Sequence, residues 1–165
     1  MMDTLLYLLK IGLGLGLVLA TSCSSAQKRP AQVADSPLIH FQKTPCLGTC
    51  PSYEATIMEN GTIRFVGYSD VPVVDTVTFT LTTQQLEAIR EDISKIDYTS
   101  LRDTYLTNWS DMPSAITTFY KAGKEVKRVK QEEGGPKALL DFQEKVHTLL
   151  MRLAEDEAKR RLPVR

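Results

Sequence analysis

Residues 53–66, Tyr-Glu-Ala-Thr-Ile-Met-Glu-Asn-Gly-Thr-Ile-Arg-Phe-Val, decide the fold of this chain. Apolar and polar side chains alternate on both sides of Asn60-Gly61, which is the pattern of two strands that bury one face. Asn-Gly is a strong signal for a two-residue turn, because both residues tolerate the positive φ of a type I′ turn. The stretch therefore predicts an antiparallel hairpin with a type I′ turn at Asn60-Gly61.

Further strands surround this hairpin. Leu38–Phe41 predicts a strand before it, and Thr76–Leu81 alternates strictly between threonine and apolar residues, as in a sheet covered on one face. Ile116–Lys121 and Glu125–Lys130 predict a second hairpin around Ala122-Gly123. The second strand of that hairpin is rich in lysine, which suits a solvated or edge strand.

Two helices accompany these hairpins. Thr82 and Gln85 form a capping box, and apolar residues at helical spacing continue to Ile96. Gly134-Gly135-Pro136 opens the last helix, with proline in the first turn, and from Ala154 we expect a charged tail. The apolar stripe of the last helix consists of Leu139, Phe142, Val146, Leu149, Leu150 and Leu153.

These elements predict one α+β domain over residues 37–165. Its antiparallel sheet contains two hairpins and additional strands, with both helices packed on one face. A chain of this size forms a core without a metal or cofactor, so we expect none. The 165 residues carry no net charge. A nucleic-acid partner is therefore not expected, because such proteins present a basic surface.

The chain begins with the layout of a bacterial lipoprotein signal. Sixteen mostly apolar residues, Leu5 to Ala20, lead through Thr21-Ser22 to Cys23. In such signals the peptidase cleaves before the cysteine, and the cysteine thiol carries the lipid. We therefore expect residues 1–22 to be a signal peptide, Cys23 to be lipidated, and residues 23–36 to form a flexible tether.

Two alternatives apply to this segment. A transmembrane helix needs about 20 apolar residues, whereas this stretch is shorter and interrupted by Lys10. An ordinary signal peptide is the other alternative, because Ala20 stands where lipoprotein signals usually have leucine. Lipidation predicts the bacterial cell envelope, and Ser24 in place of aspartate favours the outer membrane, facing the periplasm.

Cys46 and Cys50 are the two remaining cysteines, four positions apart between Pro45 and Pro51. In an oxidising compartment an even pair at this spacing favours a disulfide. Bridged Cα atoms lie within about 7 Å, so the chain must curl between them, which Gly48 permits. We expect a structural disulfide that holds a local turn.

Several motifs together carry a family resemblance. They are Cys-x3-Cys-Pro-x-Tyr at residues 46–53, Asn60-Gly61-Thr62, and Asp111-Met112-Pro113. In these motifs the chain resembles an uncharacterised domain of envelope lipoproteins known only as domain of unknown function 6438. The resemblance covers most of Leu38 to Leu153. It implies a secreted domain without an assigned activity, and it supplies no catalytic residues.

Residues 44–51 are also similar to the Cys-x3-Cys-Pro motif of Sco-type copper chaperones, in which two thiolates and a histidine bind copper. This resemblance implies Cys46, Cys50 and His40 as metal ligands, and sulfur does favour Cu(I). Those proteins continue into a helix after the second cysteine, whereas Pro51 leads into a predicted strand. Copper binding and thiol redox chemistry stay open as alternatives, although we expect no metal site.

Tyr98, Tyr105 and Trp109 lie in residues 97–113, which show no periodicity and are predicted to be irregular. These aromatic side chains either line a recognition groove or seal a helix against the sheet. The basic residues of the second hairpin either face anionic lipid or polysaccharide, or belong to a solvated edge strand. We expect the second interpretation in both cases. The basic residues are Lys121, Lys124, Lys127, Arg128 and Lys130.

The chain contains neither a Gly-x-Ser-x-Gly elbow nor a Gly-rich phosphate loop, and we predict no catalytic residues. We therefore expect an envelope-anchored lipoprotein whose domain binds or scaffolds and is not an enzyme. It contacts the membrane through its lipid, and its partner is an unknown envelope protein or polysaccharide. The alternative is an extracytoplasmic copper-binding or thiol redox protein that uses Cys46 and Cys50.

Overall fold

The computed structural model describes residues 35–162. The predicted signal peptide, Cys23 and most of the tether lie outside the described residues. Among residues 35–162, no helix is both long and apolar enough to cross a membrane. The elements are β1 (Pro37–Lys43), β2 (Ser52–Met58), β3 (Thr62–Ser69), β4 (Thr76–Thr80), α1 (Thr83–Ser94), β5 (Thr104–Tyr105), β6 (Ala115–Lys121), β7 (Lys124–Gln131) and α2 (Lys137–Arg161).

The seven strands form one open sheet in the order β4-β3-β2-β1-β6-β7-β5. Every neighbouring pair is antiparallel except β5 and β7, which pair in parallel. The predicted α+β domain is confirmed, including both hairpins. The sheet is mixed, however, because the segment predicted to be irregular contributes β5, a strand too short to show any alternation.

The face of the sheet under the helices forms the core. On the central strand, Ile39 lies opposite Ile57 of β2 and Phe119 of β6. All three side chains are almost completely buried, as are Leu139 and Leu150 from α2. Burying one such side chain stabilises the fold by about 1.5–3 kcal/mol. Both helices therefore pack on the face that the alternation predicts to be apolar.

The start of α1 follows the predicted capping box. The Thr82 side chain accepts a hydrogen bond from the Gln85 N–H, and the Thr82 N–H donates to Gln85 Oε1. The Arg90 side chain then joins α1 to the first hairpin. It donates to the backbone oxygen of Glu59 (2.8 Å) and lies 2.6 Å from the Glu59 carboxylate. The helix ends at Ser94, slightly before the predicted end.

The second helix crosses the sheet from β6 towards β4. Near its start, Gln143 donates a hydrogen bond to the Thr117 hydroxyl of β6 (3.1 Å), in the buried core. At its end, Arg161 pairs with Asp75, which directly precedes β4 (3.2 Å). Since α2 contacts both sides of β1, it holds the two halves of the sheet together on the apolar face.

The helical stripe extends further than the sequence predicts. Ala154 is fully buried and α2 continues to Arg161, so these charged residues belong to the helix, in place of the expected tail. The last turns are stabilised by ion pairs one turn apart, such as Glu157 with Arg161 (2.8 Å). The stripe also includes Gln143, a polar residue that the apolar pattern omits.

The first hairpin has a different turn from the predicted one. Only Gly61 has a positive φ (83°), whereas Asn60 is outside the left-handed region. The Gly61 N–H donates to the Met58 oxygen (3.0 Å), as in a three-residue loop. The Asn60 side chain instead accepts a hydrogen bond from the Thr62 N–H (2.8 Å). The hairpin is confirmed, but its predicted type I′ turn is wrong.

The second hairpin has the geometry that we predicted for the first. Lys121 pairs directly with Lys124, and the two residues between them, Ala122 and Gly123, have φ values of 51° and 73°. Positive φ at both central positions is the signature of a type I′ turn. Alanine is unfavourable in this conformation, because its Cβ approaches the following carbonyl oxygen.

This strain predicts that Ala122→Asn stabilises the domain. Asparagine adopts the left-handed conformation more readily than alanine, so the free energy of unfolding should rise by about 0.5–1 kcal/mol. Urea denaturation measures the change. The matched control is Ala88→Asn on the exposed side of α1, which should destabilise the protein by roughly 0.5 kcal/mol through helix propensity. Destabilisation by Ala122→Asn would contradict the turn assignment.

Candidate functional site

Four connections meet at one end of the sheet, because β1, β3, β5 and β7 all run towards it. We call this region the loop end and define it by residues 44–51, 70–75, 106–114 and 132–136. It contains the disulfide loop and the segment around Trp109. The opposite end carries the two hairpin turns and the start of β1.

Cys46 and Cys50 form the predicted disulfide, with Cα atoms 5.7 Å apart. The Gly48 N–H points back to the Cys46 sulfur (3.3 Å). Between the cysteines, the Leu47 side chain is 87% exposed. Closing so short a loop stabilises a fold by about 2 kcal/mol in the chain-entropy model. The bond therefore determines the conformation of this loop, and it contributes less to the stability of the domain.

The disulfide loop is attached to the 106–114 connection. The Thr44 N–H donates to the Ser114 oxygen (3.0 Å), and the Thr44 hydroxyl accepts from the Ser114 N–H (2.8 Å). Ser114 is buried, so this pair of hydrogen bonds is shielded from water. The two loops consequently share one support at the junction of β1 and β6.

Glu132 fixes the 106–114 connection at both of its ends. Its carboxylate accepts hydrogen bonds from the Thr107 N–H (3.3 Å) and the Ser114 hydroxyl (3.2 Å). Lys130 lies 2.7 Å away. The hydrogen bond from Lys130, followed by those from Thr107 and Ser114, lowers the pKa of Glu132. No local sequence signal identifies this role of Glu132, because Thr107 and Ser114 are distant from it in the chain.

The three aromatic residues predicted to act as a group have different environments. Tyr98 stacks on Phe119, with ring centroids 5.6 Å apart, and Tyr105 is buried. The Arg102 guanidinium lies 4.5 Å from the centre of the Tyr105 ring. Both tyrosines therefore seal the core, as we expected. Trp109 is separate from them and is 77% exposed in the 106–114 connection, so the expectation that it also seals the core is wrong.

The side chains that alternate with the core residues point to the opposite face of the sheet. We call this surface the polar face. Its central row contains one residue from each of six strands, in register across the sheet. From β4 to β7 they are Thr78, Arg64, Thr56, His40, Thr118 and Arg128.

Glu54 and His40 lie at the centre of the polar face. His40 Nδ1 is hydrogen-bonded to the Thr56 hydroxyl (3.0 Å), and His40 Nε2 is 3.9 Å from the Glu54 carboxylate. The other Glu54 oxygen is 3.9 Å from the Arg64 guanidinium. Burial lowers the pKa of His40 against the opposing effect of Glu54. The Thr118 hydroxyl is buried and has no hydrogen-bond partner in the described structure.

The family model for a domain of unknown function, DUF6438, matches residues 37–150. The chain belongs to this DUF6438 family. The matched region begins at β1 and includes all seven strands, α1 and more than half of α2. It confirms the resemblance carried by the cysteine motif and the first hairpin. No curated protein matches the chain.

The ligand set of the copper alternative is not assembled in this DUF6438 domain. The two sulfur atoms are bonded to each other, and His40 is occupied by Thr56 and Glu54. Within residues 35–162, no three histidine, cysteine, aspartate or glutamate side chains are grouped so that they could hold a metal ion. The geometry therefore does not favour the copper or thiol redox alternative, which stays a prediction.

The basic hairpin forms most of one sheet edge, as we expected, since β5 covers only the last two residues of β7. Lys127 pairs with Asp103 (2.5 Å) and Lys130 with Glu132.

A β-bulge interrupts β7 at Val126, where Phe119 lies opposite Lys127 and Tyr120 opposite Glu125. Lysine side chains and a bulge protect an edge against pairing with other chains. A cleft of about 620 Å³ follows this edge.

A second histidine lies under α2, on the core side of the sheet. The hydroxyl of the fully buried Tyr53 is hydrogen-bonded to His147 Nδ1 (2.8 Å), and the two rings stack. Burial lowers the pKa of His147, and Lys43 from β1 lowers it further, whereas Glu144 from α2 raises it. Burial also raises the pKa of Tyr53. The neutral histidine thus satisfies a buried hydroxyl.

These lowered pKa values predict a stability loss in mild acid. The unfolded chain binds protons below about pH 6.5 that the folded histidines do not bind, so the free energy of unfolding falls from about pH 7 to pH 5. Urea unfolding at several pH values measures this slope. His147→Gln should reduce it, and His40→Gln should remove a further part. An unchanged slope in the double variant would contradict the assignment.

Proposed function

We propose that this protein is an envelope lipoprotein, anchored through Cys23 in the outer membrane and facing the periplasm. The domain acts as a non-catalytic binding module, and its polar face holds an envelope polysaccharide. Support for the location comes from the apolar stretch that leads to Cys23 and from the Cys46–Cys50 disulfide, a bond typical of oxidising compartments.

The uncovered polar face is the observation that carries the binding proposal. Both helices lie on the other face, so within residues 35–162 the row around His40 is open to solvent except at the buried Thr118. Glu54 is 3.9 Å from both His40 and Arg64, too far for direct hydrogen bonds. Ligand hydroxyls can therefore replace the long contacts of Glu54 with His40 and Arg64, while the hydrogen bond between His40 and Thr56 stays in place.

The composition of the polar face favours a polysaccharide over a protein. Protein interfaces have an apolar centre surrounded by a polar rim, whereas the centre of this face consists of His40, Thr56 and Glu54. A sugar polymer presents hydroxyl groups along its length. The row presents donors and acceptors from five of its six strands, all except the strand of the buried Thr118, and this matches such a polymer lying across the sheet.

Arg64→Ala with Arg128→Ala tests the binding proposal. The mature chain should cosediment with isolated peptidoglycan or bind immobilised lipopolysaccharide, and the double variant should bind about tenfold more weakly because charged hydrogen bonds are lost. Arg152→Ala, at an exposed position of α2 on the other face of the sheet, is the matched control and should bind normally. Equal binding by the double variant, or no binding to either polymer, overturns the proposal.

Cys23→Ala tests the anchor separately. The full chain should incorporate radiolabelled palmitate and remain in the membrane fraction, and the variant should lose both properties because no thiol is left to accept lipid. Cys46→Ser with Cys50→Ser is the control, since it removes the other two thiols and should leave labelling unchanged. Normal labelling of Cys23→Ala would show that the anchor assignment is wrong.

A further inference from the structure

Exposed apolar side chains concentrate at the loop end of the sheet. Among residues 35–162, eight large apolar side chains are exposed, and five of them belong to the connections of this region. Because exposing apolar groups to water is unfavourable, such a concentration indicates a contact surface. The five residues are Leu47, Val74, Leu106, Trp109 and Met112.

These side chains are presented on supported loops. The disulfide fixes the loop that carries Leu47, and the Thr44–Ser114 hydrogen bonds join it to the loop of Trp109. Glu132 then closes the base of the Trp109 loop. Presenting Leu47 and Trp109 almost fully to solvent from such fixed positions reduces the entropy lost on binding.

We propose that the loop end docks onto the interface of a lipid bilayer, with the apolar side chains among the headgroups. The proposal rests on the proposed function, because the anchor at Cys23 holds the domain beside that bilayer. Docking would fix the orientation of the domain relative to the membrane. The polar face would then stand at the side, open to polymers above the membrane.

The arrangement of the apolar residues favours lipid over a protein partner. They occupy three separate connections, from the β3–β4 side of the sheet, with Val74, to the β5–β6 side, with Trp109. A protein interface needs a contiguous, closely packed centre. A bilayer accepts separate protruding side chains, and tryptophan and tyrosine are the residues that favour its headgroup region.

The charges near the loop end match a zwitterionic membrane. The four connections of the loop end contain five acidic residues and no lysine or arginine, and the neighbouring Arg161 and Lys130 pair with Asp75 and Glu132, so this surface does not attract anionic lipid. Anionic lipid is attracted by clusters of basic residues, and the loop end lacks such a cluster in the described chain. Lys124 and its neighbours in the second turn lie at the opposite end of the sheet. We therefore expect docking that does not depend on anionic lipid or on salt.

The length of the tether permits this orientation. The 13 residues Ser24–Ser36 can extend to at most about 45 Å. The tether joins β1 at the end opposite the loops, and the seven residues of β1 span about 23 Å. The tether can therefore pass along the full height of the sheet while the loop end contacts the membrane that holds the lipid.

Trp109 is the single tryptophan of the chain, so its fluorescence reports docking directly. The probe is vesicles of phosphatidylcholine, and the protein is the mature chain from residue 23 with Cys23→Ser, which removes the anchor. The emission maximum should shift to shorter wavelength on vesicle addition, equally in low and high salt. Leu47→Ser with Met112→Ser should weaken vesicle cosedimentation about tenfold, with an unchanged circular dichroism spectrum.

Val126→Ser is the matched control, because Val126 is exposed at the basic edge, away from the loop end, and its loss should not affect binding. The proposal is overturned if vesicles change neither emission nor sedimentation, or if Val126→Ser weakens binding as much as the loop variant. It is also overturned if binding requires phosphatidylglycerol and is lost with Lys121→Glu and Lys124→Glu. Palmitate labelling of the full chain shows whether Cys23 carries lipid. It therefore distinguishes failure of the docking proposal from failure of the anchor proposal.

Discussion

The pairing of β1 with strands on both of its sides is the constraint on which the rest of the structure depends. β1 joins β2 to β6, and so connects the first hairpin to the second, which is distant in the sequence. Ile39 and Phe41 then lie in the middle of a continuous apolar face. A sheet of this width requires both helices to cover that face, and α2 is long enough to cross it.

This arrangement leaves two surfaces for function. The helices occupy one face, so the other face presents the row around His40 and Glu54 to solvent. The up-and-down order of the strands also brings the disulfide loop and the Trp109 loop to the same end. A compact core and a fixed set of exposed groups thus follow from the same strand pairing.

Local patterns in the sequence identify the elements but only part of their assembly. The Thr82 capping box and the alternating β4 segment are determined by neighbouring residues, so they could be predicted. The turn at Asn60 differs because three residues, and not two, lie between the end of β2 and the start of β3. The disulfide was also predictable, since its partners are four residues apart.

The remaining features depend on contacts between distant residues. The pairing of β1 with β6, the two-residue strand β5 and the position of Glu132 have no local signature, because each is stabilised by a partner more than 20 residues away. The separation of Trp109 from Tyr98 and Tyr105, which pack in or against the core, has the same origin. The sequence shows the aromatic residues, and the strand order determines which of them reach the core.

Amide hydrogen exchange measured residue by residue in the native protein tests the role of β1 most directly. If β1 is the centre of the sheet, its amides from Ile39 to Lys43 should exchange as slowly as any in the protein, together with those of β6, and only through global unfolding. The short edge strand β5 should exchange much faster. Amides of β1 that exchange as rapidly as those of β5 would contradict this account.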